Sequence, residues 1–372
     1  MNILFVLENY YPHIGGVEVV FKNLAEGLVK LGNDVSIITH RLKDTKKFEV
    51  INDVKIYRIS CFHSRYWFTF LSIPLTLKLA KEADIIHTTT YNGAFPAWLA
   101  SKLTNTPSLI TIHEILGKRW NEFDMNPISS KLHQFLEWLI TRLNFDYFIA
   151  ISQSTEKDFL KIKKTKNLAK IYNGIDYNLF NPKKYDKQKI RKKLNLRDKF
   201  IYMFYGRPGI SKGLEYLIHA VPEISNKIPN SILLAIVSRD KAYLKRYNYI
   251  INLIKKLKVQ DKILLLEPVP YKELPEYIMA ADCIIVPSLT EGFGFTAAES
   301  CAMEKPVIAS NTTSLPEVVS GKYILIEPKK PEGIVKGVII ISQDKIVSKG
   351  KKVFKWEDTI KGYLDIYNKL RR

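Results

Sequence analysis

Two doubly wound α/β domains are what this sequence predicts, on three observations. Short apolar runs alternate with longer stretches of helical period; the alternation occurs twice; and a stretch rich in Asn, Pro and charge, NGIDYNLFNPKKYDKQ from Asn173, separates the two series. Runs apolar on both sides fit parallel strands covered by helices. At 372 residues and 46% hydrophobic content the chain has room for two or three domains, which excludes a disordered or fibrous protein.

In the first half the strand-like runs are Ile3–Leu7, Val35–Thr39, Ile85–His87, Leu109–His113 and Tyr147–Ile151. Between the first two, Val17, Val20, Phe21, Leu24 and Leu28 form one apolar stripe of a helix that Gly32 is placed to end. The second half repeats the pattern with Phe200–Tyr205, Ile232–Val237, Ile263–Leu266, Cys283–Val286 and Val307–Ala309. Helices are expected over Gly213–Ile228, Ala242–Leu257 and Tyr271–Ala281. The domains expected are therefore 1–172 and 173–354. No short tandem repeat suggests a solenoid. Two such sheets facing a cleft put ligands at the carboxyl ends of their strands, so the chemistry belongs in loops that follow strands.

Three cysteines, Cys61, Cys283 and Cys301, cannot all pair and show no CxxC spacing, so a reducing compartment is expected. The opening MNILFVLENYYPHIGG reads as a first strand, and no apolar run is long enough to span a bilayer. A cytoplasmic protein, soluble or peripheral at the inner face of the cell membrane, is the expectation. The formal charge is +20, and Lys183–Lys199 alone carries nine basic and two acidic side chains. Such clusters fit either a solvated face or a polyanion partner. Zinc-finger spacing, basic heptads and RNA-recognition motifs are lacking, so nucleic acid is not an expected partner.

Four constellations could carry chemistry. Gly15-Gly16 follows the first strand and opens a helix, where free N–H groups favour a phosphate or a sugar hydroxyl. Arg207 and Lys212 flank another strand-to-helix loop, and two cations so spaced can converge on a diphosphate or remain solvated. Glu291-Gly292-Phe293-Gly294-Phe295-Thr296 leads from the strand Cys283–Val286 into a helix expected over Thr296–Met303. Glu299 lies two turns on, so both glutamates can face one elongated ligand. His113 ends a strand, in a position that points into a cleft.

With these stretches in order, the sequence resembles the retaining glycosyltransferases of the GT-B fold in the large family 4-like group. The parts are GGVE at Gly15–Glu18, His113 after a strand, NGID at Asn173–Asp176, GRPGISKG at Gly206–Gly213, AADCIIVPSLTEGFGFTAAES at Ala280–Ser300 and KPVIAS at Lys305–Ser310. The resemblance covers nearly the whole chain. It implies two Rossmann-like domains facing a central cleft, with a terminal helix at 355–372 returning to the first. It also implies an enzyme that moves a hexose from a nucleoside-diphosphate sugar to a glycan or a lipid-linked acceptor, with retention and without a metal or other cofactor.

Position by position, Arg207 and Lys212 match the family's cations on the donor diphosphate. Glu291 matches the carboxylate at the transferred sugar, with Gly294, Phe295 and Thr296 in the donor-binding loop. Glu299 matches the ribose ligand, His113 the active-site histidine, and Gly16 the loop over the phosphates. The chain departs from the family at Thr312-Thr313-Ser314, at Ser238-Arg239-Asp240 and at Glu267-Pro268, where glycines are common. An epimerase or phosphorylase of the same fold, and a non-catalytic polyanion-binding protein, are the rival readings. The aromatic stretch Phe62, Tyr66, Trp67, Phe68 and Phe70 reads either as a buried helix face or as a contact with an anionic membrane surface.

Overall fold

In a computed structural model of the chain, every residue is described except Ile14, His63, Asp124 and Arg372; the last of these closes the expected returning segment and so lies outside the described residues. The chain divides into two compact units. Met1–Asn121, Met125–Gly174 and the segment from Phe354 onward make up the first, and Ile175–Val353 with a short piece at Glu122 the second.

The first unit carries eight strands: β1 Asn2–Val6, β2 Asp34–His40, β3 Phe48–Ile51, β4 Val54–Ile59, β5 Ile85–Thr89, β6 Ser108–Ile112, β7 Tyr147–Ala150 and β8 Leu168–Lys170. Their order is β3-β4-β2-β1-β5-β6-β7-β8, and only β3 runs antiparallel to its neighbour. Chain order reverses between β1 and β5, the position where open α/β sheets bind ligands. The sheet is sealed by helices whose apolar stripes face it: Val20, Phe21, Leu24 and Leu28 of the helix Gly16–Lys30 are fully buried. Gly32 takes the left-handed conformation just beyond that helix.

The edge hairpin β3–β4 went unread because it does not look like its neighbours. Burial alternates along β4, the mark of a strand covered on one face, and the turn is Asn52-Asp53 with both residues left-handed. A search for runs apolar on both faces passes over it.

The C-terminal helix Trp356–Leu370 belongs to the first unit and completes its core. Tyr363 and Tyr367 are fully buried, each worth about 1.5–3 kcal/mol of apolar burial. Their hydroxyls are satisfied in a buried network: Tyr367 meets His87 Nδ1 at 2.7 Å, His87 Nε2 meets Thr111 Oγ1 at 2.8 Å, and Tyr363 meets the same Thr111 at 3.1 Å. Burial drives the His87 imidazole well below its ordinary pKa, so it is neutral there. At the NGID motif the helix lies so close that a Cβ on Gly174 would collide with Trp356.

The second unit is a six-stranded, wholly parallel sheet: β9 Phe200–Gly206, β10 Ser231–Val237, β11 Ile263–Leu266, β12 Cys283–Val286, β13 Val307–Ser310 and β14 Tyr323–Ile326, in the order β11-β10-β9-β12-β13-β14. That is the Rossmann order, with its switch point between β9 and β12. Much of the basic stretch Lys183–Lys199 is spent inside this unit. Lys187 and Arg191 donate to Asp282 at 2.8 and 2.6 Å, and Lys189 pairs with Glu276 at 2.6 Å. Burial pushes Asp282 up, but the bonds from Lys187 and the Ile201 amide outweigh it and hold the carboxyl below its usual range.

Removing the Tyr367 hydroxyl leaves a buried His87 nitrogen without its partner. Tyr367→Phe is therefore expected to cost about 1–3 kcal/mol, read as a lower urea midpoint with an unchanged slope. An unaltered midpoint would show that the network contributes nothing.

Candidate functional site

The second unit builds its site from two loops at the switch point. After β9 the chain passes through a single turn, Ile210–Lys212, into the helix Leu214–Lys227. Gly213 caps that helix with φ +63°, and a Cβ there would collide with the Pro287 carbonyl oxygen beyond β12. Only glycine meets both demands. The second loop is tied to the first by Leu289, whose amide donates to Ser211 O at 2.7 Å.

Lys212 and Glu291 meet across this junction. Lys212 Nζ donates to Glu291 Oε1 at 2.6 Å, and Ser288 Oγ donates to the same oxygen at 2.8 Å. The two side chains are only 22% and 10% exposed, so water screens the pair incompletely. Gly294 then enters the helix Phe295–Ala302 at φ +97°, and the first-turn amides of such a helix are donors without intrahelical acceptors. Phe295 sits edge-on to the buried Phe293, ring centres 5.2 Å apart, which fixes the start of the helix beside Thr296.

Glu299 lies on the buried side of that helix. Tyr271 donates to Oε1 at 2.7 Å, and the Tyr205 hydroxyl lies 3.2 Å from Oε2 and 2.9 Å from the Thr296 carbonyl. Burial raises the carboxyl to about 7, against the pull of the two phenols and Lys212. Neither tyrosine was singled out in the sequence; one ends a strand and the other opens the turn before the helix Leu274–Ala280, and nothing local connects either to Glu299.

The departures from the family pattern have structural uses. Thr313 Oγ1 accepts from the Glu291 amide at 2.9 Å, Thr312 Oγ1 donates to Leu289 O at 3.2 Å, and Ser314 Oγ lies 2.9 Å from both the Glu291 and the Phe293 carbonyls. Three hydroxyls thus hold the Glu291 loop. Arg239 and Glu267, two more departures, pair with each other at 2.8 Å.

The remaining expected residues are placed differently. Arg207 follows β9 as expected, but its guanidinium donates to Tyr243 Oη at 3.0 Å and lies over that ring. The structure thus joins Lys212 to Glu291 and pairs Arg207 with Tyr243. In the first unit, His113 directly follows β6 and is buried, and its Nε2 has no hydrogen-bond partner. Burial lowers its pKa to about 4, opposed by the nearby Glu18, so the ring is neutral at physiological pH. Gly16 is the first residue of its helix, as expected for an anion site, but Glu18 in the first turn folds its carboxylate over Gly15 and pairs with His13 at 3.1 Å.

Comparison with known proteins places this architecture. The family described as "Glycosyl transferases group 1" matches residues 186–355, and "Glycosyltransferase Family 4" matches residues 14–179. An uncharacterized glycosyltransferase of Methanocaldococcus jannaschii is 30% identical over 397 residues, covering 99% of this chain and 98% of the relative. The phosphatidylinositol N-acetylglucosaminyltransferase GPI3 subunit of Saccharomyces cerevisiae is 22% identical over 390 residues, covering 99% and 83%. Among solved structures, sucrose-phosphate synthase from Thermosynechococcus elongatus superposes with a TM-score of 0.79 at 21% identity, over 99% and 98% of the two chains. The Anabaena protein HepE in complex with UDP-glucose gives 0.75 at 18% identity, over 100% and 95%. The chain belongs to the family 4-like glycosyltransferases of the GT-B fold, and it is a glycosyltransferase.

Glu299 makes a signed prediction. Its carboxyl is raised in the folded state, from 4.5 to about 7, so the folded protein holds the proton more tightly than the unfolded chain does. Its stabilising contribution is full below the unfolded value and is lost as pH rises through about 7. Glu299→Gln should match the wild type in acid and become more stable than it by roughly 2–3 kcal/mol above neutrality. Equal stabilities across the range would contradict this.

Proposed function

We propose that this glycosyltransferase moves a hexose from a nucleoside-diphosphate sugar to a glycan or lipid-linked acceptor, with retention at the anomeric carbon and without a metal. The observation that carries the reading is the Lys212–Glu291 pair at the switch point, flanked by two glycine-capped helices. A cation, a carboxylate and helix-end amides are what a sugar diphosphate requires: the ammonium and amides for its phosphates, the carboxylate for sugar hydroxyls. UDP-glucose in HepE supports a nucleotide sugar as the donor class, and the name of the yeast relative supports a lipid acceptor.

In the proposed reaction the bond from the anomeric carbon to the diphosphate oxygen breaks, and a new bond to an acceptor oxygen forms on the same face. The acceptor's proton passes to the departing phosphate. Lys212 takes up the charge that develops on the leaving group, and Arg207 joins it by rotating from Tyr243. Glu291 orients the sugar, and Glu299, held by its two tyrosines, accepts from the ribose hydroxyls. His113, neutral and with a free nitrogen, offers a hydrogen bond to a sugar hydroxyl. The proposal includes a cytoplasmic location, peripheral at a membrane when the acceptor is lipid-linked.

A melting-temperature panel of nucleoside diphosphates tests the donor site. The cognate nucleotide at a hundredfold excess over its Kd should stabilise by about 2.7 kcal/mol. Lys212→Ala should abolish that shift and lower turnover by roughly a hundredfold or more. Stabilisation by none of the nucleotides, or full turnover by the variant, would overturn the reading.

A further inference from the structure

Two loops beside the proposed donor site carry charges that the reaction does not use. Arg239 stands in the loop after β10 and Glu267 directly after β11, and their side chains pair at 2.8 Å. Both strands run parallel to β9, with Val237 opposite Gly206 and Leu266 opposite Ile236. The chain therefore leaves β9, β10 and β11 side by side at the carboxyl edge of the sheet, where sheets of this kind bind ligands.

The same edge leads to Glu299. Tyr271, in the loop that Glu267 begins, donates to Glu299 Oε1 at 2.7 Å, and Tyr205 of β9 lies 3.2 Å from Oε2. Lys212, by contrast, meets Glu291 between the β9 and β12 loops. A nucleoside diphosphate with its phosphates at Lys212 and its ribose at Glu299 directs its base toward the loops after β10 and β11.

The ion pair there is open to a ligand, its Arg239 and Glu267 side chains 48% and 67% exposed. Tyr247 braces the guanidinium, which lies 5.1 Å from the ring centre. Asp240 accepts from Ser238 Oγ at 2.6 Å and leaves the guanidinium to Glu267. A surface pair of this exposure contributes little to folding, so stability alone gives it no purpose. A guanidinium has five N–H donors and a carboxylate about four lone-pair sites, so both keep free groups while bonded to each other.

We propose that Arg239 and Glu267 select guanine as the base of the donor nucleotide. The inference rests on the donor site proposed above and adds the identity of its nucleoside. Along one edge guanine shows the O6 acceptor, the N1–H donor and the 2-amino donor in that order. A guanidinium beside a carboxylate is the complement: an N–H for O6, and oxygens for N1–H and the amino group. Adenine shows one donor beside one acceptor on this edge and makes fewer bonds. Uracil shows a single N–H between two carbonyls, one of which would face the carboxylate.

Calorimetric affinities for GDP, IDP, UDP and ADP test the assignment, because IDP differs from GDP only in lacking the 2-amino group. The wild type should bind GDP at least about tenfold more tightly than each of the others. Glu267→Ala should bring GDP and IDP to equal affinity, while Arg239→Ala should weaken both together. Neither variant should weaken UDP or shift the melting temperature of the unliganded protein, as an exposed pair predicts. Tighter binding of UDP or ADP than of GDP overturns the proposal. So does a ratio of GDP to IDP affinity that Glu267→Ala leaves unchanged. Either result, with a nucleotide still bound, would remove the guanine assignment and leave the donor site standing. Binding of no nucleotide by the wild type would overturn both.

Discussion

An ion pair between Lys212 and Glu291, formed where the β9 and β12 loops meet, is the constraint around which the second unit's site is arranged. Opposite charges this poorly exposed lower each other's free energy only while both stay in place, and removing one strands the other. The loops are therefore fixed to each other by backbone as well. Gly213 admits the Pro287 carbonyl, and the Leu289 amide closes onto Ser211. On the proposed function, a sugar diphosphate entering here would compete with Glu291 for the ammonium and free the carboxylate for hydroxyls. One pair thus holds both groups in position, and ligand binding must offset its loss.

Positioning depends on side chains around this pair rather than on the pair alone. Thr312, Thr313 and Ser314 hold the Glu291 loop by its backbone, so the carboxylate is presented from a rigid segment. Tyr205 and Tyr271 do the same for Glu299, at the cost of burying a carboxyl whose pKa rises to about 7. In the first unit the buried His87 network ties the terminal helix to the sheet from which His113 projects.

Much of this was legible in the sequence. Strands buried on both faces announce themselves as continuous apolar runs, and the loops after β9 and β12 stand out because glycine, charge and a helix start follow a strand in order. The returning helix came from the family resemblance rather than from any pattern of its own. What stayed hidden has long-range causes. Tyr271 and Tyr205 are 28 and 94 residues from Glu299, and no local pattern links them. Thr313 and Ser314 looked like the loss of two glycines, because their acceptors and donors lie on another loop. The stretch from Phe62 to Phe70 was ambiguous for a different reason: aromatic residues serve cores and interfaces alike, and only the exposure of Tyr66, Trp67 and Phe70 separates the two.

A crystal structure with the stabilising nucleoside diphosphate bound puts the ion pair itself to trial. The phosphate oxygens should lie within hydrogen-bond reach of Lys212 Nζ, with the Glu291 carboxylate displaced from its 2.6 Å contact. A diphosphate bound elsewhere, with that contact intact, would contradict the assignment of Lys212 and Glu291 as the donor site.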